Sequence, residues 1–395
     1  MTGQSADTLR VMHYNLLAFG LSCPGVNVLD KYNWLGNILD YYEPDIFTVN
    51  EIGPSVLLAN GIRDVSFDYS NRIAYAPLTN EAGADRVNML FYNQTKLGYL
   101  SNTVVGGGIR DINAYKLYHK PVRSDTVFLY CIVAHFKAGD GANDVALRST
   151  DASRIMNWIA ARGIDNNILV MGDMNLSGAS EQAFQTMVFN SDPDLRLTDP
   201  AGKQNGWDGP THAKVHTQST RQSSPDCGSG GGMDDRFDLI LGSPAILSGE
   251  KHLAFVPGTY QALGNGGNSY DGELNCAGST VPTAVCIDLK RMSDHLPVVM
   301  SLAVSAGSDR LGSGIPGFAL HHTVVQDQHR LSLRPGSAVF PLSLEIHDLS
   351  GRQLVQTRLD DPSACHLSLD GLSAGMYVLR VQDARGRRFT QPLAF

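Results

Sequence analysis

Short apolar runs alternate with amphipathic stretches from Leu9 to about Leu302, and this alternation limits the folds that the chain can adopt. The runs that have the length and composition of β-strands are residues 9–17, 45–52, 88–93, 126–136, 166–175, 236–243 and 296–304. Residues 31–42 and 144–163 instead carry apolar side chains at roughly helical spacing, and Gly163 marks the end of the second segment. Strands interleaved with helices predict an α/β architecture, in which helices cover the faces of the sheets.

Length and charge narrow the classes of protein further. A chain of 395 residues is too long for one ordinary core, so we expect two domains. The apolar fraction of 43% and the charged fraction of 18% are typical of a folded globular protein, and no apolar run is long enough to span a membrane. The net charge of -8 opposes unaided attraction to phosphodiester backbones, although a basic groove or a bound divalent cation can reverse the sign locally.

The composition changes after residue 305. Residues 306–317 are rich in Gly and Ser, as in a linker. Beyond them, short alternating strands separated by turn signals are typical of an all-β sandwich. We therefore expect a large domain over residues 1–305, a linker over 306–317 and a small β-sandwich domain over 318–395.

The cysteines indicate an oxidising compartment. Cys276 and Cys286 close a short loop rich in Gly, Ser, Thr and Pro, which predicts a disulfide. Cys131 lies in an apolar run and is expected to be a buried free thiol, and the sequence does not pair Cys23, Cys227 or Cys365. Residues 1–7 have no apolar core, so a secretory signal peptide is either absent or already removed.

Two long segments without a periodic pattern, residues 201–233 and 259–286, interrupt the α/β pattern. Irregular loops of this length inside a domain usually carry function or are mobile. The first contains the polar stretch 216–221, HTQSTR, which is a candidate for substrate contact.

Polar side chains follow or precede most of the predicted strands. Each of them alone is explained by a turn at the end of a strand. Together they predict one site, because the ends of parallel or mixed strands converge at one edge of a sheet, where oxygen-rich groups suit a hard cation such as Mg²⁺. The residues concerned are Asn15, Glu51, His135, Asp173, Asn175, Asp238, Asp294 and His295.

This ordered set resembles the endonuclease/exonuclease/phosphatase family, to which deoxyribonuclease I, exonuclease III and the neutral sphingomyelinases belong. The resemblance spans residues 9–305, and its most specific motifs are GDMN and SDH. It implies a four-layer α/β/β/α sandwich and hydrolysis of phosphate esters with a divalent metal. By the resemblance, Glu51 and Asp294 would hold Mg²⁺ with Asn15 nearby, and Mn²⁺ or Ca²⁺ are alternatives.

Phosphodiester hydrolysis needs a cation on a nonbridging oxygen, a base for the water and an acid for the leaving oxygen. The resemblance makes His295 the base, oriented by Asp238, and His135 the acid. Asp173 and Asn175 would orient the water and bind a phosphoryl oxygen, and whether Asp173 itself takes the proton is left open.

Four further residues are candidates for supporting roles. Arg110 stands where the nucleases of the family place an arginine that contacts phosphate. Tyr115 would stack on a base or fill the core, and Arg221 would contact substrate from the first long loop. Asp85 would orient His135, or form a surface ion pair.

The C-terminal part resembles the sorting domain of the bacterial type IX secretion system. The segments LEIHDLSGRQLVQTRL and LDGLSAGMYVLRVQDARGRRFTQPLAF carry that pattern. The resemblance implies export from a Bacteroidetes-type bacterium, with the secretion machinery as a partner. The alternative is a generic immunoglobulin-like or carbohydrate-binding appendage.

The first hypothesis is therefore a secreted or cell-surface, monomeric, metal-dependent phosphodiesterase that acts on nucleic acid, as a nuclease on DNA. The alternatives are a phosphodiesterase for sphingomyelin or another phospholipid, a phosphomonoesterase, and a surface interaction protein without catalysis. A basic groove beside the site would favour nucleic acid, and an apolar lip would favour lipid.

Overall fold

Two β-sheets lie face to face in the first part of the chain, as described by a computed structural model. The chain divides into two units, Met1–Ala306 and Gly307–Phe395. In the first unit the structure describes residues 7–120, 126–162, 167–192, 195–203, 205–224 and 226–304. In the second it describes residues 319–325, 328–335, 338–348, 352–361, 366–369, 372 and 376–394. The predicted linker, 306–317, and Gly163 lie outside the described residues.

The first sheet has seven strands in the order β10, β12, β1, β2, β4, β3, with β11 paired to β12. Its central strands β1 and β2 run parallel, and β12 and β4 run antiparallel to them. The bounds are β1 Asp7–Phe19, β2 Ile46–Ile52, β3 Ile73–Tyr75, β4 Val87–Asn93, β10 Leu253–Phe255, β11 Gln261–Ala262 and β12 Val298–Val304.

The second sheet has five strands in the order β5, β6, β7, β8, β9. Only β7 and β8 are parallel neighbours, and the other pairs are antiparallel. The bounds are β5 Leu97–Gly107, β6 Asp111–His119, β7 Phe128–His135, β8 Ile168–Asp173 and β9 Asp238–Gly242.

Helices cover the outer face of each sheet and complete four layers. One core cluster lies between the sheets, a second packs the first sheet against α1 and α6, and a third packs the second sheet against α3 and α4. The predicted α/β/β/α sandwich is therefore confirmed. The helices are α1 Val28–Tyr42, α2 Val56–Val65, α3 Ala142–Ala160, α4 Gln182–Val188, α5 Pro244–Ser248 and α6 Thr283–Met292. No helix in the described ranges is both long and apolar enough to cross a membrane.

Several elements were not predicted from the sequence, among them the β5–β6 hairpin and the helices α2 and α6. The β5–β6 hairpin lies at the edge of its sheet, and β5 mixes glycines with exposed polar residues. Helix α2 is short and begins where the Ser55 side chain accepts a hydrogen bond from the backbone N–H of Leu57. Helix α6 begins inside the segment 259–286 that was expected to be irregular; its Cys286, Leu289 and Met292 are buried at helical spacing.

The second unit forms two small sheets in its described residues. One has the order β13, β14, β17 and the other the order β16, β15, β18, β19, and all pairs are antiparallel. Leucines and valines of β14, β15 and β18 form its core. The strands are β13 Ala319–Val325, β14 Gln328–Arg334, β15 Leu342–Asp348, β16 Gln353–Leu359, β17 His366–Ser368, β18 Met376–Gln382 and β19 Arg388–Ala394.

Two disulfides tie loops of the first unit. The predicted bond between Cys276 and Cys286 is present, and a second bond joins Cys23 to Cys227 across 204 residues of sequence. Cys131 is a buried free thiol, as expected. Cys365 lies outside the described residues.

A buried ion pair anchors the start of β9. The Arg236 guanidinium donates to both carboxylate oxygens of Asp199, at 2.7 and 2.9 Å, and to the hydroxyl of Tyr260 at 2.9 Å. Burial alone would raise the pKa of Asp199, but the charge and hydrogen bonds of Arg236 outweigh it and hold that pKa below its usual value. Because Arg236 precedes Asp238 by two residues, the pair fixes the strand entry that carries a candidate catalytic carboxylate.

Breaking this pair should destabilise the first unit strongly. Asp199→Ala leaves the Arg236 charge buried without its partner, so we expect the free energy of unfolding in urea to fall by about 3–5 kcal/mol. Asp64→Ala is the control, because it removes an exposed pair with Arg63 that contributes less than about 1 kcal/mol. Equal effects of the two substitutions would contradict an anchoring role for Arg236.

Candidate active site

The strands of both sheets present their polar ends at one edge. In the second sheet, the parallel register of β7 and β8 sets His135 opposite Asp173, and the antiparallel register of β8 and β9 sets Asp173 opposite Asp238. In the first sheet, Asn15 on β1 lies opposite Asn50 on β2. These residues meet because each lies at the end of an apolar run that is buried in a sheet.

Gly172 permits the close approach of β7 and β8 at this edge. A Cβ atom at that position would lie 1.9 Å from the backbone oxygen of Ala134, which no side chain can accept. The backbone φ of Gly172 is +157°, a value that also favours glycine. The glycine of the GDMN motif therefore allows the pairing that sets His135 beside Asp173.

Glu51 is turned into the site by an irregular backbone. The registers of β1 with β2 and of β2 with β4 both shift at this point, and Glu51 has a φ of +59°. Its carboxylate accepts from the backbone N–H of Ala18 at 2.9 Å and from Asn15 Nδ2 at 3.4 Å. Asn15 Nδ2 also donates to Asp173 Oδ2 at 2.8 Å, so one amide joins the two carboxylates. Residues held in a sparsely populated backbone region are common at functional sites.

His135 faces both of these carboxylates. Its Nε2 lies 3.8 Å from Glu51 Oε1 and 3.4 Å from Asp173 Oδ2. Its Nδ1 is buried and has no hydrogen-bond partner in the described ranges. Burial, followed by the charges of Arg110 and His295, holds the pKa of His135 well below its usual value. The ring is therefore neutral at rest.

His295 lies between two buried aspartates. Its Nδ1 is 2.7 Å from Asp238 Oδ2, and its Nε2 is 3.7 Å from Asp173 Oδ2. Burial would lower the pKa of His295, but the charges of Asp238 and Asp173 outweigh it and hold the pKa well above its usual value. Burial raises the pKa of Asp173 to about 7, with a further contribution from Asp238. This trio can hold or move a proton near neutral pH.

Asn175 turns the chain away from the site. Its φ is +46°, its backbone N–H donates to Asp173 Oδ1 at 3.1 Å, and its side-chain amide donates to the backbone oxygen of Phe136 at 3.2 Å. In this arrangement Asn175 fixes the orientation of the Asp173 carboxylate.

Asp294 has one satisfied and one free oxygen. Its Oδ2 accepts from the backbone N–H of Ser229 at 2.6 Å and from Gln218 Nε2 at 3.2 Å. Its Oδ1 is buried and has no hydrogen-bond partner among the described residues. A buried carboxylate oxygen without a partner is costly unless a cation or water binds it, so Asp294 fits a divalent metal.

Asp173, Asp238 and His295 form a separate close group. One ligand atom from each lies within 4.8 Å of the others, and in the described part of the chain neither Glu51 nor Asp294 belongs to such a group. In His295, Nδ1 is hydrogen-bonded to Asp238 and Nε2 contacts Gln218, so neither ring nitrogen is free to bind a metal. We interpret the group as a hydrogen-bonded acid–base system, and the predicted metal set of Glu51, Asp294 and Asn15 stays a prediction.

Arg110 and Tyr115 have different surroundings. The Nη1 atom of Arg110 is buried, and no hydrogen-bond partner for it lies in the part of the chain that the structure describes. Burial lowers the pKa of Arg110, and the charges of Glu51 and Asp173 oppose that shift. Tyr115 is 1% exposed and packs in the core between the sheets. Filling the core is the second of the two roles that the sequence left open for it.

Arg221 and Asp85 are not turned to the predicted partners. The guanidinium of Arg221 donates to Asp226 and to the backbone oxygens of Lys290 and Arg291, so its donors are used within the protein. Asp85 is exposed, and in the described residues no hydrogen bond joins it to His135. Their predicted roles in substrate contact and orientation stay predictions.

Arg86 and Lys31 were missed by sequence reasoning, and Gln218 was singled out only as part of the stretch 216–221 that was expected to contact substrate. Arg86 Nε lies 3.5 Å from Glu51 Oε2. Lys31 is buried and donates to the backbone oxygens of Leu16 and Leu17, and burial lowers its pKa to about 8. Gln218 contacts both Asp294 and His295. A lysine on an amphipathic helix and an amide in a loop give no sequence signal that distinguishes them from solvated residues.

No protein-family model and no curated protein matches the chain. Among solved structures, an endonuclease/exonuclease/phosphatase from Bacteroides vulgatus is similar with a TM-score of 0.51 and 14% identity, over 76% of this chain and 100% of that chain. The first unit has the endonuclease/exonuclease/phosphatase fold. At this identity the likeness shows the fold alone.

Two other solved structures are similar to a lesser degree. An endonuclease/exonuclease/phosphatase from Beutenbergia cavernae has a TM-score of 0.41 and 15% identity, over 98% of this chain and 100% of that chain. D. rerio TDP2 complexed with a single-strand DNA product has a TM-score of 0.45 and 16% identity, over 75% of this chain and 99% of that chain. Both TM-scores are below 0.5, so neither likeness bears on the substrate of this protein.

The raised pKa of Asp173 predicts a pH-dependent effect of its removal. The Asp173 carboxyl ionises near pH 3.8 in the unfolded chain and near pH 7 in the folded protein. Its ionisation therefore lowers the free energy of unfolding, by an amount that grows from pH 3.8 to pH 7 and is constant above pH 7. Without divalent metal, Asp173→Asn should be about 4 kcal/mol more stable than wild type at pH 8, and the gain should shrink at pH 5. Urea unfolding in EDTA measures this, and a difference independent of pH would contradict it.

Proposed function

We propose that the protein is a divalent-metal-dependent phosphodiesterase that cleaves its substrate by in-line attack of water. The observation that carries this proposal is the placement of His295 between Asp238 and Asp173, with His135 on the other side of Asp173. Two imidazoles therefore flank one carboxylate at the common edge of the sheets. Cleavage of a diester needs one group to accept a proton and another to supply one, and two histidines can divide these tasks.

A divalent cation would neutralise charge on the phosphate and polarise its phosphorus–oxygen bonds. Glu51 and Asp294 would hold it, since both carboxylates lie at the site and Asp294 Oδ1 is buried without a partner. Their oxygen atoms suit Mg²⁺, with Mn²⁺ or Ca²⁺ as alternatives. Asn15 would orient Glu51 through its amide rather than through a ligand oxygen, because its Oδ1 accepts from the backbone N–H of Leu17.

In this proposal His295 accepts the proton of the attacking water through Nε2, in the neutral form that a divalent cation held by the neighbouring carboxylates would favour. The bond from Nδ1 to Asp238 fixes the ring and stabilises the imidazolium that forms. Asp173, whose pKa of about 7 lies near the operating pH, is the alternative proton acceptor. Asn175 holds Asp173 in either case.

His135 would protonate the leaving oxygen. Its neutral state at rest follows from burial and from the charges of Arg110 and His295. A bound phosphate adds negative charge that offsets these cations and favours the protonated ring. Arg110, with its unpartnered Nη1, would bind a nonbridging oxygen.

Nucleic acid is the first substrate class in this proposal, with DNA as the expected polymer. It is supported by two arginines on the Glu51 side of the site: Arg86 lies beside Glu51, and the Glu51 charge acts on Arg110. We also propose that the protein is exported, with residues 318–395 as a sorting domain and residues 1–305 as the catalytic domain. The two disulfides support an oxidising destination.

A lipid phosphodiester is the second candidate, and one observation favours it. Leu57 is 79% exposed near the start of α2, which follows Glu51 along the chain, and Leu29 is 63% exposed in the first turn of α1, where the charge of Glu51 acts on Lys31. Residues 52–62 contain no charged side chain and follow Glu51 directly, and Gly53 packs against Leu21 of the preceding loop. An exposed apolar patch next to an active site is typical of contact with lipid.

The experiment that tests the proposal is a release assay with Mg²⁺ or Mn²⁺ on plasmid DNA, RNA, sphingomyelin and bis(p-nitrophenyl) phosphate. We expect metal-dependent hydrolysis of a diester, and His295→Ala should lower kcat by a factor of about 10² or more without unfolding the protein. A folded His295→Ala variant with full activity would remove His295 from the chemistry. If none of these diesters is hydrolysed with either metal, the proposed function is wrong.

Glu51→Gln separates metal binding from proton transfer. The substitution removes one negative charge while keeping the side-chain volume, so we expect half-maximal activity to require roughly tenfold more Mg²⁺ or more, with less change at saturating metal. Asp64→Asn, on the exposed surface, is the matched control. An unchanged Mg²⁺ titration of Glu51→Gln would remove Glu51 from the ligand set.

A further inference from the structure

The last residues of β1 form an irregular turn. Leu17 and Ala18 have φ values of +47° and +50°, a backbone region that residues other than glycine seldom occupy. The register of β1 with β2 shifts between Asn15 and Phe19, so regular strand pairing does not hold this turn. A strained backbone of this kind persists only where its surroundings enforce it. Contacts from outside the sheet must therefore fix the turn.

The ammonium group of Lys31 contacts this turn from helix α1. Its Nζ donates to the backbone oxygens of Leu16 and Leu17 at 2.7 and 2.5 Å. Lys31 is 3% exposed, and its Nζ lies 5.8 Å from the centre of the Phe19 ring. Burial of an ammonium group is unfavourable unless the group is hydrogen-bonded, and an apolar side chain would avoid this cost if the position only had to fill space. The two hydrogen bonds of Lys31 fix both carbonyl groups of the turn.

The turn also determines where one backbone donor points. While the oxygens of Leu16 and Leu17 face Lys31, the N–H of Ala18 donates to Glu51 Oε2 at 2.9 Å. The other hydrogen bond to this carboxylate, from Asn15 Nδ2 to Oε1, is longer at 3.4 Å. The Ala18 N–H is therefore the closer of the two donors that orient Glu51.

We propose that Lys31 is a positioning residue that holds the turn at Leu17 and Ala18, and that the Ala18 N–H thereby sets the Glu51 carboxylate for a divalent cation. The inference deepens the proposed function and rests on it, because Glu51 is a metal ligand only in that proposal. The simpler explanation is that Lys31 only anchors α1 on β1. In that case its removal lowers the stability of the protein and leaves the metal affinity of the site unchanged.

The charge of Lys31 makes the sign of the effect on metal binding informative. The charges of Asp294 and Glu51 act on the ammonium group, so the ammonium also acts on a cation that these carboxylates hold. Like charges repel, and removal of the ammonium would by electrostatics alone tighten the binding of a cation. Loss of positioning has the opposite effect. Weaker binding in a variant without this charge therefore indicates positioning.

The first test is a calorimetric titration of the full chain with Mn²⁺ at pH 7, without substrate. Lys31→Met keeps an unbranched side chain and removes the ammonium group. We expect the Kd for Mn²⁺ to rise roughly tenfold or more, as when a group that orients a metal ligand is removed. Tyr42→Phe is the matched control, because Tyr42 lies on the same helix and its hydroxyl donates to the backbone oxygens of Val11, which precedes Asn15 on β1, and of Met300. Tyr42→Phe should leave the Kd unchanged.

Amide hydrogen exchange in EDTA gives a second readout that needs neither metal nor activity. We expect peptides that cover Leu17 and Ala18 to exchange about tenfold faster in Lys31→Met than in wild type, because the turn opens more readily. Peptides from β8, Ile168–Asp173, should change less, which separates a local opening from a general loss of stability. In Tyr42→Phe the exchange at Ala18 should match wild type.

Two results would each overturn the proposal. One is a folded Lys31→Met chain that binds Mn²⁺ as tightly as wild type or more tightly, and the other is unchanged exchange at Ala18. Lys31→Gln is the second variant if Lys31→Met does not fold. Its side chain is uncharged and one atom shorter, so the Kd should rise in it too, and the same criteria apply. Thermal unfolding checks that each variant is folded.

The titration also separates this inference from the proposed function. Because binding is measured without substrate, a chain that binds Mn²⁺ as expected but hydrolyses no diester contradicts the proposed function alone. A wild-type chain that binds no Mn²⁺ would overturn the positioning role of Lys31.

Discussion

The buried carboxylates at the edge of the two sheets are the constraint on which the site depends. Asp173 and Asp238 are almost fully buried and lie opposite each other on neighbouring strands. Two such charges repel each other in a medium of low dielectric constant unless protons or cations lie between them. His295 lies between them, Asn15 donates to Asp173, and the segment with Gln218 closes the site from the side of the first long loop.

The strands and the polar residues at their ends follow from the local sequence pattern, so they could be predicted. The apolar runs became β1, β2, β4, β7, β8, β9 and β12, and the polar residues at their ends lie at one edge because the registers of the sheets bring them there. The β5–β6 hairpin was missed because β5, the edge strand of its sheet, mixes glycines with exposed polar residues and alternates weakly. The contact of Gln218 with His295 could not be predicted either, since it spans 77 residues and an amide in a loop has no periodic signal.

The same edge of the sheets carries both buried acidic side chains and basic side chains. The whole chain carries a net charge of -8 and several of its acids are buried at the site, yet the charges of Arg86, Arg110 and the buried Lys31 also act on Glu51. A phosphodiester can approach such a site only if cations outweigh the acids locally. This balance explains why a divalent cation is central to the proposed reaction, and why the free Oδ1 of Asp294 is the most informative single atom of the site.

The central claim is that one cation binds between Glu51 and Asp294, and not within the group formed by Asp173, Asp238 and His295. A crystal structure with Mn²⁺, with data collected at the manganese absorption edge, tests this claim most directly. The account predicts one anomalous peak within bonding distance, directly or through a coordinated water, of both Glu51 and Asp294. A peak bound only by Asp173, Asp238 and His295, or no peak at this edge of the sheets at millimolar Mn²⁺, would contradict it.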